Sequence, residues 1–165
     1  MNGVRKATVK AMVKSVSENA AFTGMKDIDI TSTFDTRAQL KDYATKNEIK
    51  LTYLAFIVKA TAKALEEMPN VNVRIDAANN QILQIDNINI AIAVDTADGL
   101  MVPVIKEQIT YLKKLSMAEM KDATFTVSNF GSVGLDYATP IINSPESAIL
   151  GVGGMKKFQH MLEMK

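Results

Sequence analysis

Asn89-Ile90-Ala91-Ile92-Ala93-Val94-Asp95-Thr96-Ala97-Asp98-Gly99-Leu100-Met101-Val102-Pro103-Val104-Ile105 decides the fold of this chain. Asn89 to Val94 is a strongly apolar strand, and Leu100 to Ile105 reads as another. Asp95 to Gly99 is then a tight connection, with Gly99 free to take positive φ. Downstream, Phe125-Thr126-Val127-Ser128 and residues 147–152 read as the last strands. Upstream, Val71-Asn72-Val73-Arg74-Ile75 and Gln81-Ile82-Leu83-Gln84-Ile85 flank the turn residues 76–80, the pattern of a hairpin.

Before the hairpin the period changes. Leu54, Ile57, Val58, Thr61, Ala62 and Leu65 form an apolar stripe at helical spacing, widened by Tyr53, Phe56, Ala60 and Ala64. Thr52 is the expected N-cap, and Pro69 ends the helix because the residue before proline avoids helical backbone. Val9, Met12, Val13 and Val16 predict a first helix ending near Asn19, and Thr33 to Lys46 a second. Met25-Lys26-Asp27-Ile28-Asp29-Ile30 alternates and predicts a half-buried strand. A short polar piece from Leu112 to Met120 predicts a further helix. The order is helix, strand, helix, helix, then mostly strands. That is α+β, a mixed or antiparallel sheet with helices on one face, and it lacks the βαβ alternation of a doubly wound nucleotide fold.

At 165 residues, with no linker or repeat, the chain reads as one domain, 1–165. Hydrophobic residues at 47% and charged residues at 22% exclude wholesale disorder. Nineteen Lys+Arg against eighteen Asp+Glu leave a net charge of +1, without the basic surplus of a protein that coats phosphates. No cysteine is present, so disulfides, thiolate metal sites and a cysteine nucleophile are excluded. One histidine, His160, cannot make a multi-histidine metal site within one chain. No apolar run approaches the ~20 residues of a membrane span, and the first ten residues lack the apolar core of a secretory signal.

Most candidate chemistry reads as structure. Asp95 and Asp98 offer too few oxygens for a hard cation and read as turn formers. Gly131-Ser132-Val133-Gly134 and Gly151-Val152-Gly153-Gly154 match neither phosphate-loop spacing and read as turns and close strand packing. His160, among lysines near the C-terminus, reads as a surface residue. The ten methionines are dispersed and read as core filling. Ser128 is different. A hydroxyl at a strand end can donate to a developing oxyanion, and it can equally cap a turn. Its local sequence leaves both readings standing.

Several longer stretches are informative together. Arg5-Lys6-Ala7 with residues 10–15, and Lys50-Leu51-Thr52-Tyr53-Leu54 with Val58-Lys59-Ala60, are two helical motifs. Asp95-Thr96-Ala97-Asp98-Gly99-Leu100-Met101-Val102-Pro103-Val104-Ile105 is the most specific. Phe125-Thr126-Val127-Ser128-Asn129-Phe130-Gly131 follows, running on to Gly134. Thr139-Pro140-Ile141-Ile142-Asn143 and Pro145-Glu146, running on to Gly153, complete the set. In this order, over nearly the whole chain, they resemble the catalytic domain of dihydrolipoamide acyltransferases, the core-forming component of 2-oxo acid dehydrogenase complexes.

The resemblance implies a chloramphenicol acetyltransferase-like fold with a mixed, largely antiparallel sheet. It implies transfer of an acyl group between the thiols of dihydrolipoamide and coenzyme A, both as substrates, with no metal. The family's oxyanion donor is the Ser or Thr of Thr-x-Ser/Thr-Asn-x-Gly, which falls on Ser128. Its base is the histidine of a C-terminal His-Arg-x-x-Asp-Gly motif, and the site lies between subunits of a trimer. Trimers build larger hollow cores that work with decarboxylase and dihydrolipoamide dehydrogenase components. No nucleic-acid or membrane partner is implied, and the location is the cytoplasm, or the mitochondrial matrix in a eukaryote.

Two departures stand out. His-Arg-x-x-Asp-Gly is absent, since His160 is followed by Met161-Leu162-Glu163, and the segment between Ile105 and Met120 is shorter than the family's. The domain is therefore expected to be C-terminally incomplete relative to the family, with an open sheet edge or exposed apolar surface. Two functions remain: an acyltransferase domain using Ser128, or a non-catalytic, core-forming relative.

Overall fold

The computed structural model describes residues 3–76, 78–96, 99–106 and 121–157. His160, Ala97, Asp98 and the helix expected at 112–120 lie outside them. Four helices come first: α1 (Val4–Glu18), α2 (Thr31–Gln39), α3 (Lys41–Lys46) and α4 (Tyr53–Glu67). Seven strands follow: β1 (Val73–Asp76), β2 (Gln81–Gln84), β3 (Ile90–Thr96), β4 (Gly99–Met101), β5 (Val104–Ile105), β6 (Phe125–Asn129) and β7 (Ile149–Val152).

β1 and β2 form the expected hairpin, antiparallel from Val73 opposite Gln84 to Asp76 opposite Gln81. The remaining strands make one mixed sheet in the order β4-β3-β6-β7, with β5 also on β3. β4 and β5 run antiparallel to β3, while β6 and β7 run parallel to it and to each other. Three of the five pairings are thus antiparallel, and the two parallel ones flank Ser128.

The single strand expected from Leu100 to Ile105 is two strands. Val102 and Pro103 interrupt it because proline has no N–H for the ladder, although the Pro103 carbonyl still accepts from Ile92 N at 2.9 Å. Gly99 takes φ +119°, and the Thr96 hydroxyl closes the turn on the Gly99 carbonyl at 2.6 Å.

α4 covers one face of the sheet. Leu65 packs with Ile90, Phe125 and Val127, and Leu54, Val58, Ala62, Val71, Ile88, Ala148 and Val152 close around them. Val127 has no exposed surface, and burying such a side chain contributes about 1.5–3 kcal/mol. Thr52 holds the N-cap position in extended backbone, but its hydroxyl makes no capping bond. Phe34 and Tyr53 stack with ring centres 4.5 Å apart, and the Arg37 guanidinium lies over Tyr53, which ties α2 to α4.

Residues 25–30 correct the expectation of a strand. They pair with no strand among the described residues, and Ile28 is 74% exposed. Their last turn serves the next helix: Asp29 Oδ1 accepts from Thr31 N at 2.8 Å and from the Thr31 hydroxyl at 2.6 Å, so α2 starts at Thr31, two residues before the expected Thr33. Among the described residues, no helix is long and apolar enough to cross a membrane.

Candidate functional site

Side chains alternate along β6. Phe125 and Val127 face α4, so Thr126 and Ser128 face the opposite side of the sheet. Parallel register sets Ser128 between Ala93 of β3 and Gly151 of β7, and Thr126 between Ala91 and Ile149. The Ser128 row therefore presents a methyl group, a hydroxymethyl group and a bare hydrogen. Ser128 is half-buried, and its hydroxyl has no hydrogen-bond partner among the described residues. The turn-capping role left open by the sequence belongs to Ser132, whose hydroxyl donates to the Asn129 carbonyl at 2.8 Å. Ser128 is left free to donate elsewhere.

The glycines after Ser128 lock it in place. Phe130 N donates to the Val152 carbonyl at 3.0 Å, continuing the β6–β7 ladder by one bond. The chain then turns through a 3-10 segment, Gly131–Val133, and leaves it at Gly134 with φ +86°. A Cβ on Gly131 would stand 2.2 Å from the Gly153 carbonyl oxygen, and one on Gly153 would stand 1.9 Å from the Asp136 carbonyl oxygen. Both glycine clusters are thus turns and close strand packing, as their spacing predicts. Lys156 pairs with Asp136 across this turn, and that carboxylate holds the ammonium pKa above its ordinary value. On the same turn the Tyr137 hydroxyl donates to Asp27 Oδ1 at 2.9 Å, and that hydrogen bond, with the Asp27 charge, pushes the phenol pKa up.

Beneath the Ser128 face lies a carboxyl that sequence reasoning passed over. Glu146 is 2% exposed. Its Oε1 accepts from the Thr126 hydroxyl at 2.9 Å and from Asn143 Nδ2 at 3.0 Å. Its Oε2 has no partner among the described residues. Burial raises its pKa, against the lowering pull of those hydrogen bonds and of Arg74. The available signal was an acidic residue set directly before the apolar strand 147–152.

The other candidates fall away from this place. Asp95 is a ladder residue opposite Leu100, and the turn-closing bond there belongs to Thr96. No group of carboxylates or histidines that could hold a metal occurs among the described residues. An open pocket of about 270 Å3 is lined by Leu65, Pro69, Asn72 and Ile85, and Ser128 is not part of its lining.

The sequence model of the 2-oxoacid dehydrogenases acyltransferase (catalytic domain) matches residues 1–111 and 108–164. The chain belongs to this acyltransferase family. The two matched pieces meet at 108–111, inside the segment read as shortened. The chain is 64% identical to the dihydrolipoyllysine-residue acetyltransferase component of the pyruvate dehydrogenase complex of Mycoplasma capricolum, over 95% of this chain and 40% of that protein. It is 42% identical to the Bacillus subtilis component of the same description, over 93% of this chain and 38% of that protein. The chain thus spans about two fifths of those relatives' length.

Among solved structures, a probable dihydrolipoamide acetyltransferase from Listeria monocytogenes superposes with a TM-score of 0.88 at 35% identity, over 99% of this chain and 76% of that one. The Azotobacter vinelandii dihydrolipoamide acetyltransferase, studied for the role of a serine, a histidine and an asparagine in its catalytic mechanism, gives 0.84 at 33% identity, over 90% and 68%. The cubic core of a pyruvate dehydrogenase multienzyme complex gives 0.84 at 32% identity, over 93% and 72%. The α+β fold expected from the sequence is therefore the fold of this acyltransferase family.

Proposed function

We propose that residues 1–165 form an acyltransferase catalytic domain that moves an acyl group between dihydrolipoamide and coenzyme A, with Ser128 as the oxyanion donor. One observation carries the reading. A half-buried hydroxyl without a hydrogen-bond partner among the described residues stands at a strand end, inside the family's Thr-x-Ser-Asn-x-Gly stretch. In the reaction one substrate's thiolate attacks the other's thioester carbonyl. The new C–S bond forms as the carbonyl oxygen becomes an oxyanion, which the Ser128 hydroxyl meets. Collapse expels the second thiolate. In this reading the attacking thiol's proton goes to the histidine of the His-Arg-x-x-Asp-Gly motif, a group these 165 residues do not carry.

The same reading makes a second copy of the chain a partner, in trimers and larger cores. Supporting it are apolar side chains left in water: Phe22 is 93% exposed, and Met25, Ile28, Val9, Val13 and Val16 are exposed with it. β7 also ends the sheet among the described residues. The decarboxylase and dihydrolipoamide dehydrogenase components are the further partners, and the cytoplasm, or a mitochondrial matrix, is the location. If the chain is instead a non-catalytic core-forming relative, the same apolar surface serves assembly alone.

Ser128→Ala in the full gene product separates the two. Loss of one oxyanion donor lowers kcat about 10²–10³-fold, or about 2.7–4 kcal/mol. Unchanged acyl transfer by the variant overturns the Ser128 assignment. No acyl transfer by the wild-type protein, with large assemblies intact on sedimentation, establishes the scaffold reading.

A further inference from the structure

Gly151 is the cross-strand neighbour of Ser128, and the place its side chain would fill is occupied. A Cβ built there stands 2.6 Å from Phe130 Cε1, 3.1 Å from Phe130 Cζ and 3.3 Å from Pro140 Cγ. The Phe130 ring, two residues beyond Ser128, folds back over Gly151 to take the next place in the Ser128 row. Phe130 is itself half-buried. On the other side of Ser128 the row offers only the methyl of half-buried Ala93.

The reach of the chemistry brings an acyl group to this ring. An oxyanion lies about 2.7–3.1 Å from its donor, so the first acyl carbon lies within about 5 Å of Ser128 Oγ. Neighbouring strands are about 4.7–4.9 Å apart, so the Gly151 side-chain place, which the ring fills, lies one such spacing from that of Ser128. We propose that Phe130 is a specificity-determining residue, its ring forming the wall beside Ser128 that limits the bulk of the transferred acyl group. This rests on the reading of Ser128 as the oxyanion donor. Gly151 is the complementary part, since any side chain there would collide with the ring in the place it fills.

The test measures kcat/KM for acetyl-coenzyme A and isobutyryl-coenzyme A with dihydrolipoamide, using the wild-type full gene product, Phe130→Ala and Phe130→Leu. One methylene in an apolar pocket discriminates about 10–200-fold, so Phe130→Ala shifts the ratio at least about 10-fold toward isobutyryl. Phe130→Leu, which keeps an apolar filler over Gly151, shifts it less and in the same direction. If Phe130→Ala fails to melt cooperatively, Phe130→Leu alone decides. An active wild type with an unchanged ratio in the folded variants overturns the Phe130 assignment and leaves the acyltransferase reading standing. A wild type inert toward both thioesters overturns that reading, and this inference with it.

Discussion

Gly153→Ala tests the packing that holds the site. At Gly153 the obstacle is backbone: the new Cβ meets the Asp136 carbonyl oxygen at 1.9 Å and its carbon at 2.9 Å. No rotamer relieves that, so the turn from Gly134 to Tyr137 must move. Overpacking of this kind costs about 1–3 kcal/mol. The displaced turn also loses the bond from Gly154 N to the Leu135 carbonyl, 3.0 Å long, at about 1 kcal/mol more. A total near 2–4 kcal/mol lowers Tm by roughly 5–15 °C in a chain of this size. Gly24→Ala is the matched control, because a Cβ there meets nothing within 4 Å. It should change stability by less than about 1 kcal/mol. Thermal unfolding followed by circular dichroism reads both variants. Gly153→Ala melting with the wild type, or Gly24→Ala falling as far, would refute the claim that backbone contact at Gly153 fixes the turn.

Two more outcomes follow from the core and its buried carboxyl. Leu65→Ala, at a side chain only 4% exposed in the cluster with Ile90, Phe125 and Val127, should cost about 2–5 kcal/mol in urea unfolding, and a loss below this range would contradict the packing. Glu146 has a folded-state pKa raised by burial, so its contribution is complete below the ordinary glutamate range and is lost as pH rises through the elevated value. Glu146→Gln keeps an acceptor for Thr126 and Asn143 and removes that loss. Its stability should therefore gain on the wild type as pH increases from the acid side, whereas parallel stability–pH curves would exclude the assignment.

The elements that could be read in the sequence are those whose pattern is local. The stripe from Leu54 to Leu65, the hairpin around residues 76–80 and the apolar run at Ile90 each reveal one face and one period. Residues 25–30 have the period of a strand, yet a strand also needs a neighbour, and alternation cannot show whether one is there. The break at Val102-Pro103 was visible in principle, since proline cannot donate to a ladder. At the candidate site, Ser128 stood out because its motif is contiguous. The Phe130 ring over Gly151 was not, because it depends on the turn folding a side chain of one strand's end onto the next strand. Glu146 was hidden for a similar reason: Thr126 and Arg74, two of the groups around it, lie 20 and 72 residues away along the chain.

The Ser128 row is drawn from three strands that are parallel and distant in sequence. Parallel neighbours cannot be joined by a tight turn, so each pairing closes a long loop before any contact rewards it. α4 and the β1–β2 hairpin can form from local contacts as soon as their residues are available. The hydroxyl gains its surroundings only when β7, the last of the three to leave a ribosome, docks against β6. The surroundings of Ser128 are thus completed among the final events of folding, and a nascent chain halted before Gly151 would hold α1 to α4 and leave Ser128 without its β7 neighbour.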